Sequence, residues 1–117
     1  MAKGFNSRNM RGMGGMGGIN MNVIRQAQKM QADMQNFQEE FKTREFEASS
    51  GGGVVTAKVS GEHRLLSVDI KPEAVDPDDI ELLSDMIVAA VNEAMHAVDE
   101  ANEEGIRKIT GGLSLGL

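Results

Sequence analysis

The chain has 117 residues, no cysteine and a formal net charge of −6, and this length favours a single domain. The lack of cysteine excludes disulfides, thiolate zinc sites and cysteine nucleophiles, and the lack of Trp and Tyr argues against single-strand binding by base stacking. No apolar run approaches the roughly 18 residues of a membrane span, and the N-terminus has no apolar segment typical of a secretory signal.

The first 18 residues have low sequence complexity and are rich in glycine and methionine. Residues 10–18 read Met-Arg-Gly, Met-Gly-Gly, Met-Gly-Gly. Ordering glycine at this density costs much backbone entropy. We therefore expect residues 1–18 to form a flexible basic tail.

A long amphipathic helix is predicted after the tail. Its apolar residues recur at spacings of 4, 3, 4, 3 and 4, and they are Val23, Ala27, Met30, Met34, Phe37 and Phe41. This period places them on one face of a helix. Asn20 or Asn22 is a suitable N-cap.

The apolar period changes to two after residue 43, which predicts three short strands. The apolar members are Phe46 and Ala48 in the first strand, Val55, Ala57 and Val59 in the second, and Leu66, Val68 and Ile70 in the third. Glycine-containing turns at 49–53 and 60–63 separate the strands. An antiparallel meander is the simplest topology for such short connections.

A second long helix is predicted to begin at Asp76-Pro77, where an Asp cap precedes a proline in the first helical position. Its apolar residues again recur at spacings of 3 and 4, and they are Ile80, Leu83, Ile87, Ala90, Ala94, Ala97 and Ala101. Gly111-Gly112 is the expected stop, and Gly105 is an earlier alternative.

These elements predict an α+β fold of the order α-β-β-β-α, with a three-stranded antiparallel meander and two long helices. Residues 19–110 are expected to form the single domain, and residues 111–117 a loose C-terminal tail. So small a sheet does not cover both helices, and apolar stripes left in water favour burial against a second copy. We therefore expect a homodimer.

Positive charge is concentrated at the N-terminal end of the chain. Residues 1–32 carry five bases and no acid, whereas residues 33–117 carry seven bases and eighteen acids. Such asymmetry is typical of a nucleic-acid-contacting end on an acidic body. The candidate phosphate-contacting residues are Lys3, Arg8 and Arg11 on the tail, Arg25 and Lys29 on one helix face, and Lys42, Arg44 and Arg64 beside the strands.

Each group of bases also has an alternative interpretation. The tail bases fit an ordinary solvated terminus. Arg25 and Lys29 fit a solvated helix face, with Lys29 partly paired to Asp33. Bases beside the strands often oppose aggregation at sheet edges.

Apolar helix residues are interpreted as core or dimer packing, and they are Met30, Met34, Phe37, Phe41, Leu83, Ile87, Ala90, Val91 and Ala94. The acids at 76, 78 and 79 are explained by helix capping. His63 and His96 lack the spacing of metal ligands or of a catalytic pair. We expect no metal, no cofactor and no small-molecule substrate.

Five segments follow one another in the order and spacing of a known family. Residues 26–40 form the first, residues 53–61 the second and residues 66–70, followed by Pro72, the third; residues 82–94 and 110–113 complete the set. Together, over residues 20–113, these segments resemble the YbaB/EbfC nucleoid-associated proteins. The resemblance implies a homodimer whose protruding helices form a tweezer-like body. It also implies DNA binding, a location at the bacterial nucleoid, and no enzymatic activity.

The expected function is therefore binding of double-stranded DNA, mainly through backbone phosphates, in order to organise the chromosome or regulate expression. The expected location is the cytoplasm, at the nucleoid, with no membrane partner. The alternative is a protein-interaction or assembly module without direct DNA binding, which the acidic C-terminal half also fits. The salt dependence of DNA binding discriminates between the two.

Overall fold

The computed structural model describes residues 21–114, with side chains described through residue 111. Helix α1 (Met21–Lys42) is followed by strands β1 (Glu45–Ser50), β2 (Val55–Ser60) and β3 (Leu65–Ile70), a 3₁₀ turn (Pro72–Ala74) and helix α2 (Ile80–Ser114). The predicted α+β class and α-β-β-β-α order are confirmed. The described residues divide into two units, with the boundary between Asp33 and Met34.

Helix α1 carries the predicted apolar stripe over its 22 residues. In residues 34–42 the stripe becomes progressively more buried, from the half-buried Met34 and Phe37 to Phe41, which is 6% exposed. The Phe41 ring lies with its centroid 5.1 Å from that of Phe37 and 5.5 Å from that of Phe46. In residues 21–33, by contrast, Val23 and Ile24 are exposed.

The three strands form one antiparallel sheet in the order β1-β2-β3, so the predicted meander is confirmed. Ala48, Ala57 and Val68 lie opposite one another across it. Strand β1 continues to Ser50, two residues into the segment predicted as a turn. The serine hydroxyls explain this extension, because Ser49 Oγ hydrogen-bonds Thr56 Oγ1 at 2.9 Å and Ser50 Oγ donates to the Met86 carbonyl at 2.6 Å.

An irregularity interrupts the pairing of β2 with β3. Lys58 pairs with Ser67, but the next residue of β2, Val59, pairs with Leu65. Leu66 is therefore an extra residue on β3, which is the arrangement of a β-bulge. A bulge bends the strand and changes the direction of its side chains, and both Leu65 and Leu66 are exposed.

The core lies between one face of the sheet and α2. Val55, Ala57 and Val59 of β2 are completely buried. Alanines at 90 and 94 are also completely buried on α2, and their small side chains allow the helix to approach the sheet closely. Full burial of one valine contributes about 1.5–3 kcal/mol, so β2 and the facing turns of α2 dominate the stability of this unit.

Strand β3 is less well covered than its neighbours. Helix α2 packs mainly on β1 and β2. Val68 is half-buried, but Ile70, which shares the core face because it lies opposite Val55, is 38% exposed. The inner face of β3 therefore remains partly open to solvent in the single chain.

Helix α2 begins later and ends later than the sequence predicts. Asp76 does not cap it; its Oδ1 instead accepts the Asp78 N–H at 3.0 Å within a preceding turn. The cap is Asp79, whose Oδ1 accepts the Leu82 N–H at 3.2 Å. The predicted stop at Gly111-Gly112 is also wrong, because the helix continues to Ser114. Neither helix of the described part of the chain combines the length and apolar character needed to cross a bilayer.

Candidate nucleic-acid interface

Two of the candidate bases lie on the described part of α1 in the first unit. Lys29 Nζ lies 2.9 Å from Asp33 Oδ2, as the sequence suggested, and the two side chains are 76% and 41% exposed. Arg25 donates from a terminal nitrogen to Asn22 Oδ1 at 3.5 Å. Exposed pairs of this kind contribute little stability, so both cations can exchange their partners for phosphates. Lys3, Arg8 and Arg11 lie outside the described residues.

Arg44 is held by backbone hydrogen bonds and by contacts with two aromatic rings. It connects α1 to β1, and its backbone N–H donates to the Phe41 carbonyl at 3.1 Å. Its own carbonyl accepts the Gly61 N–H at 2.9 Å. The guanidinium carbon lies 4.9 Å from the centroid of the Phe46 ring and 6.0 Å from that of Phe41. Stacking on these rings restricts the side chain while leaving its charge in place.

The remaining two candidate bases flank secondary structure. Lys42 is the last residue of α1 and is exposed. Arg64 precedes β3, and its carbonyl accepts the Ser60 N–H at 2.9 Å in the β2–β3 turn. Within residues 21–114, neither side chain takes part in an ion pair. Their charges are therefore available to an anionic partner.

The β2–β3 turn is fixed to α2 by a contact between His63 and Asp99. His63 has a left-handed backbone conformation, with φ of 63°, which is uncommon for a residue other than glycine. Its Nε2 lies 2.7 Å from Asp99 Oδ1. Since a carboxylate only accepts hydrogen bonds, Nε2–H is the donor. The contact sets the position of the turn that carries Arg64.

Four further bases of the described chain were not included among the sequence candidates. Lys58 is engaged, because its Nζ lies 3.6 Å from carboxylate oxygens of both Glu45 and Glu47 on the outer face of the sheet. Lys71, Arg107 and Lys108 are exposed. Arg107 and Lys108 lie within α2, because the helix extends to Ser114. Lys108 lines a cavity together with Arg44, a proximity that no sequence pattern indicated.

The residues assigned to packing occupy the positions that their spacing suggested. Phe41, Ala90 and Ala94 are buried, and the others, Met30, Met34, Phe37, Leu83, Ile87 and Val91, are half-buried. Half-burial leaves part of their apolar surface for contact with another chain. Their assignment to packing within one chain or between two chains stays a prediction.

The acids of the described chain do not converge on a metal site. Among residues 21–114, no group of three or more His, Asp or Glu side chains is placed to hold a metal ion. The acids before α2 form local turn and cap hydrogen bonds instead. His96 lies 3.4 Å from Glu100, one turn along α2.

Comparison with known proteins places these features in a family. The model of the YbaB/EbfC DNA-binding family matches residues 16–113. A nucleoid-associated protein of Acetivibrio thermocellus is 54% identical over 92 residues, which cover 79% of this chain and 81% of that protein. One of Alkaliphilus metalliredigens is 50% identical over 94 residues, covering 80% of this chain and 82% of the relative.

A solved structure supports the fold independently. The crystal structure of an uncharacterized Helicobacter pylori protein matches with a TM-score of 0.55 at 23% identity, covering 67% of this chain and 90% of that one. At this identity the likeness concerns the fold alone. The family match extends over most of the chain and includes both helices and all three strands. The chain belongs to the YbaB/EbfC DNA-binding family.

Proposed function

We propose that the protein binds double-stranded DNA, mainly through backbone phosphates, as a homodimer located at the nucleoid in the cytoplasm. In this role it organises the chromosome or regulates expression, and it acts without catalysis. The observation that carries the proposal is the charge distribution: five bases and no acid in residues 1–32 of a chain whose net charge is −6. A basic segment on an otherwise acidic chain suits contact with a polyanion such as DNA.

The binding mechanism is electrostatic. Lys and Arg side chains that neutralise phosphates release condensed counterions, so affinity falls steeply as salt rises. The contacts are assigned to Lys3, Arg8, Arg11, Arg25, Lys29, Lys42, Arg44 and Arg64. The eleven acids between Glu73 and Glu104, which no Lys or Arg interrupts, repel DNA and orient the protein with its basic end toward the duplex.

A second copy is assigned to the open side of β3. Asp99 contacts His63 in the β2–β3 turn. Val88 precedes Asp99 by 11 residues, about three helical turns, so it lies on the same side of α2. Val88 is 55% exposed, and Ile70 on the inner face of β3 is also exposed. These two residues, with Leu65 and Leu66, define the β3-side surface.

The β3-side surface suits a second copy of this chain. It is apolar and continuous with the partly open core face of β3, so burying it extends the existing core rather than creating a separate one. A chain of this size buries a smaller fraction of its surface than a larger domain does, and a symmetric partner supplies the missing area with no additional gene product. Dimerisation also doubles the number of phosphate contacts.

Fluorescence anisotropy with a labelled duplex of random sequence tests the DNA-binding proposal. The full chain and a chain lacking residues 1–18 are titrated from low to physiological salt. We expect binding that weakens steeply with salt, and a smaller salt slope for the shortened chain, because it has lost Lys3, Arg8 and Arg11. Equal salt slopes for the two chains would mean that the phosphate contacts lie on α1 and at the later bases rather than on the tail. No binding at low salt, with random or genomic duplexes, would overturn the proposal in favour of a protein-interaction module.

A further inference from the structure

A cavity of about 380 Å³ opens in the second unit beside the C-terminal part of α2. Phe37 of α1, Arg44 before β1, and Glu104, Gly105, Lys108 and Ile109 of α2 line it. Its volume is at the lower end of the roughly 300–1,000 Å³ typical of small-molecule sites. It is large enough for a fragment of a nucleic-acid backbone.

The two cations of the cavity are available to an anion. Within residues 21–114, neither Arg44 nor Lys108 takes part in an ion pair. Arg44 is held in place by stacking on Phe46 at 4.9 Å, so little of its side-chain freedom remains to be lost on binding. An ordered guanidinium presents a fixed fork of donors that suits a phosphate.

Lys108 adds a mobile point charge at the same cavity. Because α2 continues to Ser114, Lys108 lies nearly two turns before the helix end. The negative end of the helix dipole acts mainly within the last turn and therefore does not compensate this lysine. Glu104, one turn earlier, is the opposing charge in the lining, and it lowers the affinity of the cavity for anions without cancelling both cations.

The remaining walls are apolar or small. Phe37 and Ile109 are half-buried, and each contributes to the lining. Gly105 has no side chain, and the Phe37 ring packs against it. A lining that combines two cations with apolar side chains matches a ligand in which a phosphate is joined to a less polar ring, as it is to deoxyribose in DNA.

We propose that this cavity binds one sugar–phosphate unit of the duplex backbone, with Arg44 and Lys108 holding the phosphate and Phe37 and Ile109 contacting the deoxyribose. The inference deepens the proposed function and rests on it. It adds Lys108 to the DNA contacts and makes Arg44 an ordered contact rather than one base among many. It also gives the acidic α2 a local role in binding.

Three substitutions in the lining of the cavity test this proposal. Lys108→Gln removes one cation from an exposed helix position with no ion pair among the described residues, so folding is expected to be unaffected. Arg44→Lys keeps the charge but loses the fork and the ring stacking. Glu104→Gln removes the opposing charge. Lys71→Gln is the matched control, because Lys71 is an exposed, unpaired base in the described chain that lies beside the exit of β3, at a different cavity.

Anisotropy titrations with random-sequence duplex at several salt concentrations provide the measurement, and circular dichroism checks folding. Lys108→Gln is expected to weaken binding about threefold to tenfold at low salt and to reduce the salt slope by about one. Arg44→Lys is expected to weaken binding while keeping the wild-type slope, and Glu104→Gln to strengthen binding.

The control separates this inference from the proposed function. Lys71→Gln is expected to change the affinity less than twofold. If it weakens binding as much as Lys108→Gln does, or if Glu104→Gln has no effect, the cavity is not a contact and the inference is overturned while DNA binding stands. If the wild-type chain itself binds no duplex, the proposed function fails first, and the wild-type titration reveals this directly.

Discussion

Phe37 of α1 packs directly on the backbone of Gly105 in α2. A Cβ atom built on Gly105 would lie 2.1 Å from Cε1 of the Phe37 ring, a separation that real side chains do not tolerate. The ring in turn contacts Phe41, whose side chain belongs to the core. Glycine at this position therefore sets how closely the C-terminal part of α1 approaches α2.

The first prediction is that Gly105→Ala destabilises the protein. Alanine favours the helix by up to about 1 kcal/mol, but overpacking against the half-buried Phe37 ring costs about 1–3 kcal/mol, so we expect a net loss. Gly111→Ala is the control, since a Cβ there meets nothing within 4 Å, and it should leave stability unchanged or raise it. Thermal unfolding measures both. Equal effects of the two substitutions would show that the contact with Phe37 is unimportant.

The second prediction concerns Gly61 in the β2–β3 turn. A Cβ built on it would overlap the carbonyl oxygen of Phe41 and lie 2.7 Å from the Phe41 ring. Because backbone cannot yield as a flexible side chain can, Gly61→Ala should cost at least about 1–3 kcal/mol. Gly52→Asn is the control, because Gly52 has open space and a φ of 73°, which asparagine tolerates. In urea unfolding, the free energy of unfolding of Gly61→Ala should be far lower than that of the wild type or of the control.

The third prediction is a measurable coupling between His63 and Asp99. Their contact at 2.7 Å joins the β2–β3 turn to α2, and both side chains are about half exposed. A double-mutant cycle with His63→Asn and Asp99→Asn should give a coupling of about 0.5–1 kcal/mol, the range of exposed pairs. Asparagine tolerates the left-handed conformation of residue 63, so the substitution adds no backbone strain to the measured coupling. Strict additivity of the two substitutions would mean that the contact does not stabilise the turn.

The fourth prediction uses the pairing of Lys29 with Asp33. Asp33→Asn frees the lysine from its partner at 2.9 Å and removes a charge that repels phosphate. We expect binding to random-sequence duplex to tighten about twofold to fivefold at low salt, with a steeper salt dependence. Asp69→Asn, which removes the same charge from β3, is the control and should have a smaller effect. If both variants bind alike, only net charge matters and the face of α1 is not a contact.

The fifth prediction tests the β3-side surface as the dimer contact. Val88 and Leu82 are both exposed, at 55% and 52%, but they lie on opposite flanks of α2. Val88→Glu places a charge on the β3-side surface and should shift the protein toward monomer in sedimentation velocity, because an unpaired charge at an apolar interface is costly. Leu82→Glu should leave the oligomeric state unchanged. A wild-type chain that is monomeric at high concentration would contradict the homodimer itself.

Local periodicity predicted most of this fold. The change from a 3.6-residue to a two-residue period after residue 43 indicated the strands, and the helices followed their apolar stripes. The main errors concern the two ends of α2. At its start, two nearby aspartates could each have capped the helix. Asp79 rather than Asp76 caps α2, because Asp76 is used by the preceding turn. Gly111 does not end the helix. Glycine can adopt the left-handed conformation that ends many helices, but it can also adopt the helical one, as it does here.

The candidate site was less predictable because it depends on contacts between distant segments. Lys29 and Asp33 are four residues apart, so their pairing followed from helical spacing. Arg44 and Lys108 are 64 positions apart, and only the packing of α1 on α2 brings them to one cavity. Gly105 was interpreted as a possible helix end, whereas its role is to admit Phe37. No local pattern distinguishes these two uses of a glycine.

The uneven cover of the sheet has a consequence for the order in which the structure comes apart. Strand β3 has a hydrogen-bonded neighbour on one side only, carries a bulge and lies beyond the main contact of α2. Opening β3 exposes little additional apolar surface, whereas opening β2 exposes three completely buried side chains. Amide hydrogens of β3 should therefore exchange through local unfolding well before those of β2. Among the three strands of the single chain, β3 is therefore the one at which we expect a protease to gain access first.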